Sequence, residues 1–313
     1  MELQLSNINK NFGENHVLKN VSFTARGGAV FGLLGRNGSG KTTTLRIIMN
    51  IFLPDSGRVL IDGKDRASTT AYISYLPEER GLYPRRLVSD QMLYFGRLRG
   101  LNTKDAKDDA LRMLDTLGAG EYWSRQLDTL SKGNQQKVQF AITLLGDPDI
   151  IVLDEPFSGL DPVNAQTMKY VVSDLSARGK IVVFSSHEMS TVETFCDDIC
   201  IINKGTIALL GSLTAIKRAY PRNKITLMPD NDSSFEHLAT RVQSIESISS
   251  IITKTDISRS GIIVQLHHDC ADGKNRLLRL LIENDIGISA FAVLEPTLEE
   301  IFVEKAGDTV EAV

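Results

Sequence analysis

Eight consecutive residues near the start of the chain fit the pattern G-x-x-x-x-G-K-[ST]. They are Gly35, Arg36, Asn37, Gly38, Ser39, Gly40, Lys41 and Thr42. An apolar run, Val30 to Leu34, precedes them and a helical run, Thr43 to Met49, follows, which is the strand–loop–helix context that a phosphate-binding loop requires. In such a loop, backbone N–H groups surround phosphate oxygens, and the helix N-terminus adds positive potential. The pattern therefore predicts ATP binding, with Lys41 on the β- and γ-phosphates and Thr42 on Mg²⁺.

A pair of carboxylates follows a second apolar run. Ile150 to Leu153 contains no polar residue and leads directly into Asp154 and Glu155. Such a run predicts a strand buried on both faces, and open α/β sheets bind ligands at the carboxyl ends of their strands. We expect Asp154 to hold Mg²⁺ through water and Glu155 to polarise the water that attacks the γ-phosphate. An Asp-Glu pair alone is more often a solvated turn, and the phosphate loop reverses that balance.

A third stretch opens a helix with a capping pattern. Its residues are Leu130, Ser131, Lys132, Gly133, Asn134 and Gln135. Ser131 is a suitable N-cap, and Gly133 near the first turn leaves backbone N–H groups open to an anion. By itself, however, the stretch is better interpreted as an ordinary capped helix.

These residues need a sheet and helices to position them. Short apolar runs alternate with helical patterns over residues 1–217, which predicts an α/β domain. The predicted strands are Leu3 to Leu5, Gly28 to Leu34, Ile150 to Leu153 and Ile181 to Phe184. An inserted helical subdomain, over about residues 85–146, is predicted from helical patterns at Asp90 to Leu101, Thr103 to Leu117 and Ser131 to Leu145.

After Tyr220-Pro221 the pattern changes and predicts a smaller α+β domain over residues 218–313. The expected elements are, in chain order, strand Lys224 to Leu227, helix Ser233 to Val242, strands near Ile248 to Thr253 and Gly261 to Leu266, helix Ala271 to Glu283, strand Gly287 to Leu294 and helix Thr297 to Lys305.

The bulk composition argues against several classes of protein. A net charge of −4 gives no sign of nucleic-acid binding by bulk electrostatics. The N-terminus lacks the layout of a signal peptide. The apolar stretches are far shorter than the roughly 20 residues that span a bilayer. We therefore expect a cytoplasmic protein that reaches a membrane only through a partner.

Two pairs of residues raise the question of a metal site. Cys196 and Cys200 are spaced so that they could share one helix face, but no histidine pair with zinc-finger spacing follows them. Buried, inert thiols in a reducing compartment are the preferred interpretation. The adjacent His267 and His268 would point to opposite faces of a strand, which disfavours a shared ion.

Taken together, the order of these stretches resembles the ATP-binding subunit of ABC transporters over about residues 1 to 215. The resemblance implies a P-loop NTPase fold, the ABC cassette, and identifies Leu130 to Gln135 as similar to the family signature. His187 is similar to the switch histidine that contacts the γ-phosphate, and Phe12 to the aromatic residue that stacks on adenine. We place Thr43 with the ATP-binding residues. The stretch similar to the family's D-loop is Ser158, Gly159, Leu160 and Asp161.

Two positions depart from the family pattern. Glu78 stands where the coupling loop of the family has Gln, so it is a further candidate ligand for Mg²⁺ but adds negative charge beside the phosphates. Asn134 stands at the Gln of the signature and shortens its reach. The tail of the chain, which ends with Leu294 to Phe302, is similar to the accessory domain of a sodium-efflux-like, drug-resistance-like branch.

The resemblance implies ATP hydrolysis in a head-to-tail dimer of identical or different cassettes, where the signature of one closes over ATP on the other. It also implies an integral-membrane permease as partner at the inner face of the cell membrane, and the branch implies export. One alternative is a soluble ABC-type ATPase acting on nucleic acid or ribosomes, although such relatives usually carry two cassettes or a long coiled coil. Another is a regulatory cassette with little turnover, which Glu78 and Asn134 suggest.

Overall fold

The computed structural model describes residues 1–79, 81–230, 234–258, 261–267 and 272–306. The chain divides into two compact units: Met1–Leu213 together with the described residues from Phe302 onward, and Thr214–Ile301. Within the described ranges, every helix falls short of the length and apolar character needed to cross a bilayer.

The first unit is an α/β structure. Its strands are β1 Glu2–Phe12, β2 Asn15–Arg26, β3 Val30–Leu34, β4 Ser56–Ile61, β5 Lys64–Asp65, β6 Ile73–Leu76, β7 Ile150–Asp154, β8 Ile181–Ser186, β9 Asp198–Asn203 and β10 Thr206–Ser212. Its helices are α1 Lys41–Ile48, α2 Val88–Leu98, α3 Thr103–Thr116, α4 Lys132–Leu144, α5 Pro162–Ala177 and α6 Met189–Glu193, and α7 Leu213–Ala219 follows at the boundary.

The central sheet has the strand order β10-β9-β3-β8-β7-β6, with parallel pairing from β9 to β6 and an antiparallel edge strand β10. Every residue of β3, β7 and β8 is buried, which explains their continuous apolar runs. The register pairs Leu34 with Ser186 and Asp154 with Ser185, so the carboxyl ends of these three strands lie at one edge. The predicted α/β class is confirmed.

A second sheet, of order β2-β1-β4-β5, is antiparallel and was only partly predicted. The expected strand at Leu3 to Leu5 extends over Glu2–Phe12, and β2 was missed. Register shifts between Leu5 and Ile8 and between Ile8 and Lys10 interrupt the alternation that would have marked a long hairpin. The inner faces of this sheet, of α1 and of the central sheet share one apolar core.

The helical insertion consists of α2, α3 and α4, which contact one another. Helix α2 begins at Val88 rather than at Asp90 and ends at Leu98, because Gly100, with φ of 85°, terminates it before Leu101. Asn102 caps α3, and Ser131 caps α4 as predicted, its hydroxyl accepting the Asn134 N–H.

The second unit has a β-α-β-β-α-β order with antiparallel strands arranged β12-β13-β11-β14. Its strands and helices are β11 Lys224–Pro229, α8 Phe235–Ser244, α9 Glu246–Ser249, β12 Ile252–Ser258, β13 Gly261–Leu266, α10 Gly273–Glu283 and β14 Ile288–Leu294. The last described element is α11 Leu298–Ala306, in which the assignment to the two units changes at Phe302.

One prediction in this region was wrong. The strand expected near Ile248 to Thr253 is instead the short helix α9 followed by β12, because Ile248 is buried from a helix rather than from a strand. The predicted helix starts at Ser233 and Ala271 lie outside the described residues.

The suggestion that two cysteines share a helix face was also wrong. Cys200 lies in β9, and Cys196 lies in the connection between α6 and β9. Both are buried, and burial raises the pKa of each thiol, as expected for inert cysteines. Among the described residues no cluster of His, Cys, Asp or Glu suits a metal ion. His268 and Cys270 fall outside that part of the chain.

Gly32 in β3 has a packing role, because a Cβ there would lie 2.7 Å from Sγ of Cys196 and 3.0 Å from Cγ1 of Val192. We therefore expect Gly32→Ala to lower the free energy of unfolding by about 1–3 kcal/mol through overpacking. Combining it with Cys196→Ala should recover part of that loss. Urea denaturation followed by circular dichroism measures both effects, with Cys196→Ala alone as control. An unchanged midpoint for Gly32→Ala would contradict this packing.

Candidate functional site

The phosphate loop joins β3 to α1 and has a backbone that only glycine adopts easily. Gly40 has φ of 114°, and a Cβ there would lie 2.6 Å from Cδ2 of Leu18. Gly40 is the N-cap of α1, so Lys41, Thr42 and Thr43 form the first turn of that helix. The hydroxyl of Ser39 is buried and has no hydrogen-bond partner among the described residues. A buried donor of this kind suits an anionic ligand at the loop.

The side chain of Lys41 folds back onto the phosphate loop. Its Nζ donates to the carbonyl oxygen of Gly35 at 2.7 Å and to that of Arg36 at 3.4 Å, and it lies 3.9 Å from Oε1 of Glu155. The side chain is buried, and burial lowers the pKa of Lys41 although the nearby carboxylates oppose the shift. The ammonium group therefore lies between the loop and the acidic strand.

Three hydroxyl groups surround Asp154, which is 1% exposed at the end of β7. Oδ1 accepts from Oγ of Ser185 at 2.5 Å and from Oγ1 of Thr42 at 3.4 Å, and Oδ2 accepts from the phenol of Tyr75 at 3.1 Å. Thr42 and Asp154, the two residues expected at Mg²⁺, are thus adjacent. A carboxylate and hydroxyls are oxygen donors, which hard divalent cations prefer, so the residues fit Mg²⁺.

Glu155 lies next to His187. Nδ1 of His187 is 2.9 Å from Oε1 of Glu155, which is only 8% exposed. Glu155 has a left-handed backbone, with φ of 49°, that turns the chain at the strand end. Burial raises the pKa of Glu155, while His187 and Lys41 oppose the shift and Glu78 adds to it. A carboxylate with a raised pKa is a stronger base towards water.

The signature-like stretch is placed by α4 and its surroundings. The amide Nδ2 of Asn134 donates to the hydroxyl of Tyr122 at 2.8 Å, and Nε2 of Gln135 donates to the carbonyl of Leu130 at 3.0 Å. A Cβ at Gly133 would lie 2.7 Å from Nδ2 of Asn164, so the start of α4 packs against the start of α5. Among the described residues, the hydrogen bonds and ion pairs of Lys41, Asp154 and Glu155 involve none of this stretch.

The D-loop-like stretch follows Glu155 directly. The N–H of Ser158 donates to the carbonyl of Glu155 at 3.2 Å, and that of Leu160 to the carbonyl of Phe157 at 3.3 Å. Asp161 caps α5 by accepting the N–H of Asn164 at 2.9 Å. The loop is therefore anchored both on Glu155 and on a helix start.

Phe12 and Glu78, two further candidate residues, are exposed. Phe12 ends β1, is 44% exposed, and contacts Phe52 edge-on with a centroid distance of 5.4 Å. Glu78 is exposed after β6, and its charge acts on both Lys41 and Glu155. An exposed aromatic ring and an exposed carboxylate are both available to a ligand.

Sequence reasoning missed the residues that support this site. Ser185 and Tyr75 hold Asp154, and Tyr122 holds Asn134. A signal for the first two existed, because each lies near the carboxyl end of a strand, β8 or β6, that neighbours β7. No comparable signal marks Tyr122, whose partner lies in a different element.

Comparison with known proteins gives a consistent result. The model of the ABC transporter family matches residues 18–158, and the model of the C-terminal domain of DrrA1-3-like ATP-binding proteins matches residues 211–306. The ABC transporter ATP-binding protein YhaQ of Bacillus subtilis is 36% identical over 310 residues, which cover 99% of this chain and 100% of YhaQ. The linearmycin resistance ATP-binding protein LnrL of the same organism is 29% identical, with 98% of this chain and 99% of LnrL covered.

A solved structure adds the fold. The chain is similar to the ADP conformation of MJ1267, an ATP-binding cassette of an ABC transporter, with a TM-score of 0.61 and 26% identity over 69% of this chain and 94% of that one. The predicted cassette fold is confirmed, and so is the predicted similarity of the tail to an accessory domain, here the DrrA1-3-like C-terminal domain. The chain belongs to the family of ABC transporter ATP-binding proteins, whose nucleotide-binding cassettes are ATPases.

Proposed function

We propose that this chain hydrolyses Mg²⁺–ATP in a dimer of cassettes and thereby drives export through a separate permease. The observation that carries the proposal is a set of three contacts at one sheet edge. Oε1 of Glu155 lies 3.9 Å from Nζ of Lys41 and 2.9 Å from Nδ1 of His187, and Thr42 donates to Asp154. Hydrolysis of a nucleoside triphosphate needs these groups: a cation that binds phosphate, a base with a partner that orients it, and oxygen ligands for a metal ion.

Each candidate residue of the site has a role in the proposed reaction. Residues 35–43 bind the phosphates, Phe12 stacks on adenine, and Lys41 leaves the Gly35 carbonyl for the β- and γ-phosphates. Glu155 accepts a proton from the attacking water at its carboxylate, which burial makes more basic. His187 orients that carboxylate and contacts the γ-phosphate.

Thr42 and Asp154, the latter through water, would hold Mg²⁺, and Glu78 is a further candidate ligand. When bound, the ion neutralises negative charge on the phosphate oxygens. The chain's own contribution is to keep Thr42 and Asp154 adjacent, at 3.4 Å between Oγ1 and Oδ1.

The second half of the site belongs to another cassette in this proposal. Residues 130–135 of one chain would cover ATP on the phosphate loop of the other, with residues 158–161 passing between the two sites. Two features support this arrangement: Ser131 and Lys132 are exposed, and the contacts of Lys41 and Glu155 come from elsewhere in the cassette.

The permease would dock on helix α2. Leu87, Tyr94 and Leu98 recur along one face of that region and are 36%, 50% and 64% exposed. Tyr83, 54% exposed, is fixed beside them because its N–H donates to Oε1 of Gln91 at 2.8 Å. Tyr83 and Tyr94 line a groove of about 510 Å³ together with Arg86, Asp90 and Gln91. Exposed aromatic residues around a groove are typical of a protein interface.

The relatives support the proposed direction of transport and location. LnrL is named for linearmycin resistance, and export is a common means of resistance, so we assign export to this chain as well. The chain would then lie at the inner face of the cell membrane, held by its permease. In this proposal residues 1–217 form the cassette and residues 218–313 the accessory domain.

Glu155→Gln tests the chemistry. The amide keeps the shape of the side chain but cannot accept the proton of water, so we expect kcat to fall by about 10²–10⁴-fold. The affinity for ATP should stay within about threefold, because Lys41 and the phosphate loop remain. A phosphate-release assay and equilibrium dialysis measure the two quantities, with the exposed Glu236→Gln as control. If Glu155→Gln hydrolysed ATP as fast as the unaltered chain, Glu155 would not be the working base. That result would favour the alternative of a regulatory cassette.

Mixing two inactive variants tests the shared site. Lys41→Ala removes the phosphate contact and Ser131→Glu places a negative charge in the signature, so each dimer alone should be inactive. In an equal mixture half of the dimers are mixed and each has one intact site, so hydrolysis should return to about a quarter of the unaltered rate. A mixture as inactive as its components, with both variants folded by circular dichroism, would contradict a site shared between identical chains.

Tyr94→Glu tests the permease surface. A charge on the wall of the groove should prevent docking while leaving the ATPase activity of the isolated chain within about twofold. The tagged chain, purified from detergent-solubilised membranes, should lose a multi-span membrane protein that the unaltered chain retains. Tyr170→Glu is the matched control, because Tyr170 is 72% exposed on α5. Equal recovery of the membrane protein with Tyr94→Glu would rule out this surface.

A further inference from the structure

The carboxylate of Asp154 accepts hydrogen bonds from residues outside the sequence motifs as well as from the phosphate loop. Its carboxylate is 1% exposed, and both oxygens accept hydrogen bonds from hydroxyl groups. One of these, from Thr42, belongs to the phosphate loop. The other two come from Ser185 and Tyr75, which lie outside every motif of the sequence.

Ser185 serves both acidic residues at once. Its Oγ donates to Oδ1 of Asp154 at 2.5 Å and accepts the backbone N–H of Glu155 at 3.1 Å. The side chain is completely buried. The parallel register of β7 and β8 sets Ser185 opposite Asp154, so this geometry follows from the pairing of the strands.

The second bond of Ser185 acts where the chain is strained. Glu155 has φ of 49°, a left-handed conformation that residues with a Cβ adopt only when their surroundings hold them there. The hydroxyl of Ser185 satisfies the N–H that this turn directs into the interior. Losing it would leave a buried donor unpaired and loosen the turn that aims Glu155.

Tyr75 holds the other oxygen of Asp154. Its phenol donates to Oδ2 at 3.1 Å from β6, the neighbouring strand of β7. A phenol ordinarily carries its proton at neutral pH, so Tyr75 remains a donor there.

We propose that Ser185 and Tyr75 are positioning residues for hydrolysis, Tyr75 for the metal-binding carboxylate alone and Ser185 for both that carboxylate and the base. This inference rests on the proposed function, since it assigns Mg²⁺ to Asp154 and the base to Glu155. The two residues thereby separate metal affinity from the chemical step: Tyr75 influences the first, and Ser185 influences both.

Tyr75→Phe and Ser185→Ala test this division, and the chain provides a matched control for each. Tyr72→Phe removes a phenol of the same region that donates to the Leu145 carbonyl at 3.1 Å. Ser186→Ala removes the next hydroxyl of β8, which accepts the Glu188 N–H at 3.0 Å. Both controls leave Asp154 and the N–H of Glu155 untouched.

Three quantities are measured for each chain: the Mg²⁺ concentration for half-maximal hydrolysis, kcat at saturating Mg²⁺, and the affinity of Mn²⁺ by electron paramagnetic resonance with a non-hydrolysable ATP analogue. Losing one hydrogen bond to a buried carboxylate should weaken metal affinity about tenfold. Tyr75→Phe should show that loss with kcat within about twofold, whereas Ser185→Ala should show it together with a kcat about tenfold lower. The controls should stay within about twofold in all three.

Several results would overturn the inference. They are unchanged Mn²⁺ affinity in Tyr75→Phe, a kcat for Ser185→Ala no lower than for Ser186→Ala, or equal losses in variants and controls. Binding of ATP without metal should be the same in all chains and reports that the loop is folded. If Ser185→Ala does not fold, the two tyrosine variants still decide the metal half. Hydrolysis by the unaltered chain with no effect in the variants refutes only this inference, whereas no hydrolysis by the unaltered chain refutes the proposed function.

Discussion

The parallel register of three buried strands is the constraint on which the site depends. Because β3, β7 and β8 end at one edge, the phosphate loop, the two carboxylates and Ser185 with His187 meet there, although they are far apart in sequence. Each strand is apolar along its length and polar only beyond or at its last residues. A shift of one residue would turn Asp154 away from Thr42 and Ser185. The apolar core therefore fixes the relative positions of the polar groups.

Burial at this edge makes the charges depend on one another. Lys41, Asp154 and Glu155 are each less than a tenth exposed, and burial lowers the pKa of Lys41 while raising that of Glu155. Both shifts oppose the charged forms, and the opposite charges partly restore them. A polyanion entering the loop would compete with the Gly35 carbonyl and with Glu155 for the same ammonium group. Ligand binding at the loop and the freedom of the Glu155 carboxylate are therefore linked through Lys41.

The sequence predicted correctly those features for which a residue type, or the spacing of apolar residues, is compatible with only one local structure. The glycines of the loop, the continuous apolar runs and the capping role of Ser131 were all predictable, and so was most of the second unit. The hairpin of β1 and β2 was not, because its register shifts interrupt the alternation of apolar residues. Ile248 was assigned to a strand because short apolar runs suit either element, and only its tertiary contacts decide. Tyr122 acts through its hydroxyl group on Asn134, a partner in another element, which no local pattern reveals.

The two departures from the family pattern differ in their physical effect. Asn134 is already engaged, because its amide donates to Tyr122 at 2.8 Å, so the shorter side chain stabilises the start of the signature helix rather than reaching outward. Glu78 is exposed and adds a negative charge that favours the protonated form of both Lys41 and Glu155. The first change is structural, and in the proposed dimer it leaves Ser131 and Gly133 available to a second cassette. The second acts on the charges of Lys41 and Glu155, to which we assign the chemistry, so we expect any difference in turnover from relatives with glutamine to originate at Glu78 rather than at Asn134.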